Sequence, residues 1–331
     1  MVNLLPVASG KGGVGKSALA VNLAILLARK QKKIILVDFD LGGANLHTLL
    51  GLKNNHAGLG NFIYKQTDSL KPLLQETGIE NLQFIAGDCL YPGTPNLSAG
   101  TKSKIIKNLN ILDADYVILD LGAGTTYNTL DMYLLTYNSL LVTTPELTSI
   151  LNAYSFLKAA AYRFFMRQFK TKSLERITID SFLKASTTGT ESSFLELIKQ
   201  ITDNFPETGK AAEDELRKYR PQVILNMGQT AQDLEMARKL RTLVQNKLGL
   251  TMDFIGFVPK DDHVSLAVAR RTPLAVSDPD CAFVKAAEAA VNRILIHSYS
   301  YNNMNIFETD DARYEKTGED LTTLNSEFAG A

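Results

Sequence analysis

The chain has 331 residues, enough for about two average domains or for one large α/β unit with additions. Its 45% hydrophobic and 21% charged residues are the balance of a folded globular protein and exclude a disordered one, and a formal net charge of zero excludes a general pull toward DNA or acidic membrane. Two distant cysteines, Cys89 and Cys281, exclude a disulfide framework and a Cys-x-x-Cys metal motif; with no signal-peptide pattern and no apolar run of membrane-spanning length, a cytoplasmic location is expected.

Short, nearly continuous apolar runs alternate with longer helical patterns. The first run, residues 4–8, reads as a strand and is followed by a helix over 16–30 and a strand over 34–38. A strand at 82–86, a helix at 101–110 and a strand at 116–120 come next. Then follow a strand at 140–144, a helix at 148–169, a strand at 222–226, a helix at 231–248, a strand at 254–258 and a helix at 280–297. Apolar runs of this kind suit strands covered on both faces, and their alternation with helices predicts βαβ units. The expected fold class is α/β: a doubly wound, mostly parallel sheet with helices on both faces and a helical insertion. Pro6 conflicts with a central first strand because proline offers no amide to a ladder, so it is expected at a bulge or at the strand's start.

Residues 160–220 hold more chain than one crossover needs. They carry helical patterns at 191–204 and 211–219 and a polar linker at 186–193, and are expected to pack as an insertion on one side of the sheet and to offer a partner surface. The body is read as one domain over 1–297. Residues 298–331 form an acidic tail, with Glu308, Asp310, Asp311, Glu315, Glu319, Asp320 and Glu327 against Arg313 and Lys316, expected to be partly mobile.

The first strand runs into Ser9-Gly10-Lys11-Gly12-Gly13-Val14-Gly15-Lys16-Ser17, which fits G-x-x-x-x-G-K-[ST] between a strand and a helix. Glycines let successive backbone N–H groups turn inward around phosphate oxygens, and the helix that follows adds free amides and the positive end of its dipole. Lys16 supplies a point charge at the β- and γ-phosphates, and Ser17 a hydroxyl for Mg²⁺. Lys11, at the start of the loop, either serves as a solvated surface lysine or reaches the nucleotide of a second subunit. The second strand ends in Asp38 and Asp40, which at i and i+2 point the same way and can serve Mg²⁺ and an attacking water. Another strand ends in Asp120, the Walker B pattern, which on its own also fits a helix cap. Gly122-Ala123-Gly124 after it is suited to move when a γ-phosphate leaves.

On these residues the sequence resembles the MinD/ParA family of the SIMIBI class of P-loop proteins. Lys11-Gly12-Gly13-Val14-Gly15-Lys16-Ser17 is similar to its deviant Walker A loop, residues 37–46 to its switch I, and residues 119–124 to its Walker B and switch II. Residues 144–149 and 152–154 are most similar to the FlhG (YlxH) branch of flagellar regulators. The resemblance implies a slowly hydrolysing, ATP-dependent homodimer with ATP and Mg²⁺ as cofactors. Lys11 would cross to the partner's ATP, Lys16 would act on its own, and Asp40 would position water. Gly10, Gly12, Gly13, Val14, Gly15, Lys16, Ser17 and Ala18 would hold the phosphates. Ser17, Asp38 and Asp120 would order the metal shell. Asn45 would face the γ-phosphate and Asn226 the adenine edge, with Val258, Pro259 and Asp261 lining the base pocket; Asn226 also fits a simple turn former ending a strand.

The leading expectation is therefore a Mg-dependent ATPase switch that regulates placement, number or assembly of a cellular structure through an unidentified protein partner. Membrane attachment is not expected, because the tail is acidic and its apolar residues are scattered. The alternative is a partitioning ATPase on nonspecific DNA, which needs a basic surface from Arg163, Arg167, Lys170, Lys172 and Arg176; a solvated helix face would explain the same residues. A metal-cluster carrier would need paired cysteines near a dimer axis, and a tyrosine kinase a denser group than Tyr299, Tyr301 and Tyr314.

Overall fold

In a computed structural model, residues 2–53, 57–87, 97–186, 193–230 and 232–302 are described. All seven apolar runs form strands. β1 (Asn3–Ser9) passes through a loop into α1 (Lys16–Arg29) and β2 (Ile34–Phe39). Two short helices, α2 (Leu46–Leu49) and α3 (Leu59–Ile63), and a two-residue strand, β3 (Gln75–Glu76), lead to β4 (Leu82–Ile85). Next come α4 (Ala99–Asn110), β5 (Tyr116–Leu121), α5 (Tyr127–Tyr133), β6 (Leu140–Thr143) and the 21-residue α6 (Leu147–Arg167). Three helices intervene, α7 (Leu174–Ser186), α8 (Phe194–Asn204) and α9 (Pro206–Arg217). Then follow β7 (Gln222–Gly228), α10 (Asp233–Leu248), β8 (Asp253–Pro259), α11 (His263–Arg270), α12 (Leu274–Ser277) and α13 (Ala282–Asn302).

The sheet has the order β3-β4-β2-β5-β1-β6-β7-β8 and is parallel throughout except for the β3–β4 pair. It separates two apolar cores: one under α4–α10, the other under α1 and α11–α13. This is the doubly wound arrangement that the alternation of elements predicts. β1 lies in the middle, where the chain first turns toward β2 on one side and later continues through β6, β7 and β8 on the other. In open α/β sheets the crevice at the carboxyl ends of strands around such a point is where ligands bind. α1 is apolar almost all round because the sheet, α2, α12 and α13 cover it, and its one interior amide, Asn22, is satisfied: Nδ2 donates to the Ala18 carbonyl and Oδ1 accepts from Ala275 N–H.

Three expectations are corrected. Pro6 sits neither at a bulge nor at the start of β1 but in its buried middle, in register with Leu119 of β5; pairing with β6 opens only at Val7, so the strand has a single neighbour at the proline. α9 begins at Pro206, where a proline fits because a first-turn amide has no helical acceptor, five residues before the predicted start at 211. α13 runs on to Asn302, past the predicted boundary at 297, and the rest of the acidic tail lies outside the described residues. So does most of the predicted 186–193 linker; its ends are Ser186, the last residue of α7, and Ser193, which caps α8 in a reciprocal box with Glu196. The insertion is fastened to α6 by aromatic contacts: Phe194 is 1% exposed and meets Tyr162 and Phe165 edge-on at ring-centroid distances of 4.7 and 6.0 Å.

Candidate functional site

The loop from Gly10 to Gly15 leaves the carboxyl end of β1 and feeds α1 directly, so the first amides of α1 face the same space as the loop. Gly15 occupies the left-handed region at φ 79° and is the N-cap of α1. A Cβ there would lie 2.4 Å from Asn226 Nδ2, and one on Gly10 would lie 2.4 Å from the Asn152 carbonyl oxygen. Gly10 is thus required by close approach, and Gly15 by close approach as well as by its left-handed turn. Asn226, 2% exposed at the end of β7, donates from Nδ2 to the Val14 carbonyl at 2.8 Å and braces the loop from 212 residues away. Its Oδ1 is buried without a hydrogen-bond partner.

β2 and β5 are neighbours whose register pairs Asp38 with Asp120. Both carboxylates are buried, and Lys16, itself 7% exposed, makes an ion pair with Asp120 at 2.5 Å. Burial and the repulsion from Asp120 push Asp38 up to about 7, although the amides of Leu46 and Asp40 donate to it. Burial likewise raises Asp120, against the pull of Lys16 and of the Ser17 hydroxyl, and Asp40 adds to the rise. Asp40, half-buried just past β2, rests against Gly122: a Cβ there would lie 3.2 Å from its Oδ1. Residues Phe39–Gly42 face Gly122–Thr129 across an open cleft. The amide of Gly124 donates to the Ser9 carbonyl at 3.1 Å, so the loop after β5 is tied to the end of β1.

This donor set fits a divalent cation beside a polyphosphate. Two carboxylates held against each other in a dry site favour a counter-ion, and Ser17 adds a hydroxyl next to them. Among the described residues no group of three or more His, Cys, Asp or Glu could hold a metal alone. A hard cation here would therefore take the rest of its shell from phosphate oxygens and water, the usual state of Mg²⁺ in nucleotide sites.

The remaining predicted residues are placed as follows. Val258 is buried opposite Asn226 in the β7–β8 register, and Pro259 follows it. Asp261 accepts from the His263 backbone and ring and from Phe283 N–H, which hold its carboxyl low despite partial burial. Ala18 lies in the first turn of α1. Asn45 is exposed and turned onto the Gly43 carbonyl at 2.7 Å. Lys11 contacts Glu146 at 3.0 Å and Thr148 at 3.3 Å, at the start of α6. Of the five candidate basic residues, Arg163 is engaged by Asp131, which also binds Lys102, and Arg176 Nε donates to the Phe169 carbonyl; Lys170 and Lys172 are exposed. The partners of Lys11 and the Lys102–Asp131–Arg163 clamp carry no sequence signal, because each joins residues from separate crossovers.

A glycine-held amide cradle, a lysine at its mouth and paired strand-end carboxylates define a P-loop nucleotide-binding protein. Residues 1–165 match the ParA family, described as NUBPL iron-transfer P-loop NTPase. MinD of Helicobacter pylori, a septum site-determining protein, is 27% identical over 91% of this chain and 93% of its own length. An iron-sulfur cluster carrier protein of Synechocystis is 32% identical over 47% of this chain; the chain spans 45%, about half, of that relative. The structure of MinD from Pyrococcus horikoshii complexed with Mg-ADP shares the fold, with a TM-score of 0.58 at 18% identity over 92% of this chain and 100% of that one. The chain belongs to the ParA/MinD family of P-loop NTPases. No helix among the described residues is long and apolar enough to cross a membrane.

Proposed function

We propose that this chain binds Mg·ATP, hydrolyses it slowly and pairs with a second copy only while ATP is bound, acting as a switch that a protein partner reads. The observation that carries this is the meeting of Lys16, Ser17, Asp38 and Asp120 at the carboxyl ends of β1, β2 and β5. In the catalytic reading, Lys16 and the loop amides hold the β- and γ-phosphates, while Ser17, Asp38 and Asp120 hold Mg²⁺, which supplies charge neutralisation for the transferring phosphoryl group. Asp40, beside Gly122 and open to the cleft, accepts a proton from or orients the attacking water. Lys11 of one copy crosses to the nucleotide of the other. Such a site works by preorganised charge, so its turnover is slow until a partner completes it.

Asp40→Ala is expected to lower ATP turnover at least about 100-fold while nucleotide affinity stays within about threefold of wild type; phosphate-release assays and calorimetry check this, and undiminished turnover would remove Asp40 from the mechanism. For the base, the partnerless Asn226 Oδ1 is the acceptor that an exocyclic amine requires, and guanine presents a carbonyl oxygen at that edge. Asn226→Ala is expected to weaken ATP binding about tenfold and to narrow the preference for ATP over GTP, since one directed hydrogen bond and the Val14 brace are lost together. Equal ATP and GTP affinities in the wild type would sink the adenine assignment.

Within the family, the FlhG-like branch rests on residues 144–149 and 152–154, and the cargo would then be a flagellar structure. The partner surface is assigned to the insertion, where Leu174 and Ile177 on α7 are 67% and 53% exposed. A cluster carrier is the second reading, favoured by the iron-transfer description of the matched family and by the Synechocystis relative. Against it, Cys281 is a lone, half-buried thiol among the described residues, and Cys89 lies outside them. Iron and sulfide content after anaerobic reconstitution distinguishes the two.

A further inference from the structure

Lys11 leaves the phosphate loop sideways and is held within its own subunit. Its Nζ donates to Glu146 Oε2 at 3.0 Å and to Thr148 Oγ1 at 3.3 Å, across 135 and 137 residues of sequence. Glu146 stands at the N-cap of α6 but makes no capping bond with its side chain; the carboxylate faces Lys11 instead. The base of the loop is pressed onto the same helix, since Gly10 abuts the Asn152 carbonyl so closely that a Cβ would come within 2.4 Å of it. The backbone at Lys11 is thereby fixed against α6, and what remains free to move is the lysine's own side chain. A lysine that is to enter a neighbouring subunit must first give up both bonds.

We propose that Glu146 and Thr148 are positioning residues that hold Lys11 in a resting pose and so set the protein concentration at which two ATP-bound copies pair; the regulatory part rests on the homodimer reading above. The hold is a modest one. The pair is partly exposed, 32% on the lysine and 67% on the glutamate, and ion pairs of that exposure shift an equilibrium about two- to fivefold. Two holds open for each pair of subunits, so the dimer dissociation constant carries the square of that factor, about four- to twenty-five-fold. A weak hold suits a switch, because the interactions that form across the dimer can outweigh it without a separate input of energy.

The test uses the full chain and compares wild type with Glu146→Gln and Thr148→Ala. In the nucleotide-free protein, amine-reactive labelling read by mass spectrometry is expected to modify Lys11 about two- to fivefold faster in Glu146→Gln than in wild type, with a smaller gain in Thr148→Ala. With magnesium and a non-hydrolysable ATP analogue, sedimentation is expected to show the Glu146→Gln dimer forming about four- to twenty-five-fold more tightly at low salt, and the difference shrinking at high salt as screening weakens the wild-type pair. Monomer affinity for the analogue should stay unchanged, which a general loosening of the fold would not allow. Unchanged Lys11 labelling overturns the hold whatever the dimer does, and a weaker dimer in Glu146→Gln overturns its use as a brake. Faster labelling in a chain that never pairs keeps the hold and removes the homodimer reading instead.

Discussion

Replacing Lys16 by alanine is expected to abolish nucleoside triphosphate binding and, in the same protein, to destabilise the nucleotide-free fold. The ammonium has two tasks at one place. It is the point charge that the β- and γ-phosphates meet, and without ligand it is the counter-ion of buried Asp120 at 2.5 Å. Removing one partner of a buried ion pair costs about 3–5 kcal/mol when the other stays charged. Part of that returns here, because burial already favours the protonated form of Asp120. Calorimetry should find no heat of ATP uptake with magnesium, and denaturant unfolding should show a loss of about 2–3 kcal/mol. The double variant Lys16→Ala with Asp120→Asn separates the two tasks: most of the stability should return, since no charge is left unpaired, while binding stays absent. Wild-type ATP affinity in Lys16→Ala would contradict the phosphate assignment outright.

The nucleotide-free protein is also expected to become more stable as the solution is acidified from pH 8 toward pH 5.5, the reverse of ordinary acid denaturation. Burial and Asp120 lift Asp38 from an ordinary 3.8 to about 7. Between those two values the folded chain holds a proton at this site that the unfolded chain has already released. The stability contributed by the protonated carboxyl is therefore complete below 3.8 and is lost as pH rises through about 7. Across the window from pH 5.5 to 8 this single group is worth about 2 kcal/mol. Asp131, Glu175 and Glu215 are held low by hydrogen bonds to cations and hydroxyls that outweigh any burial, so they titrate below this window. Asp120, raised by burial, and His263, raised by Asp261, change stability in the same direction as Asp38, whereas His47, lowered by burial and Arg271, changes it in the opposite one, so Asp38→Asn is the control that isolates the site. That variant should lose most of the pH dependence, and magnesium with ATP should flatten it in the wild type by substituting a cation for the proton. A wild-type stability that rises steadily from pH 5.5 to 8 would contradict the burial of this carboxyl.

Much of the scaffold was legible before folding because its signals are local. A strand covered on both faces must be apolar throughout, so each run from residues 4–8 to residues 254–258 marked its strand closely. The loop from Gly10 to Ser17 was legible because a phosphate cradle needs a fixed order of glycines and one lysine. What failed did so for identifiable reasons. α5 went unread because Tyr127–Tyr133 is short and follows a glycine-rich stretch, and α7 because exposed Leu174 and Ile177 break the expected apolar stripe. Pro6 was judged by a rule for strands paired on both sides, whereas β1 pairs with β5 alone at the proline and β6 joins it only at Val7.

By itself, the sequence determined the seven parallel strands, the phosphate loop and an acid at the end of β2 and of β5, since each depends only on side-chain periodicity and on backbone freedom within a few residues. Only the tertiary structure decided that Asp38 faces Asp120, that Asn226 braces Val14, and that Lys11 rests on Glu146. Those meetings follow from strand order and crossover paths, which are fixed by how the two apolar faces of the sheet are covered. Groups 82 to 212 residues apart in sequence therefore meet without any local pattern to announce it.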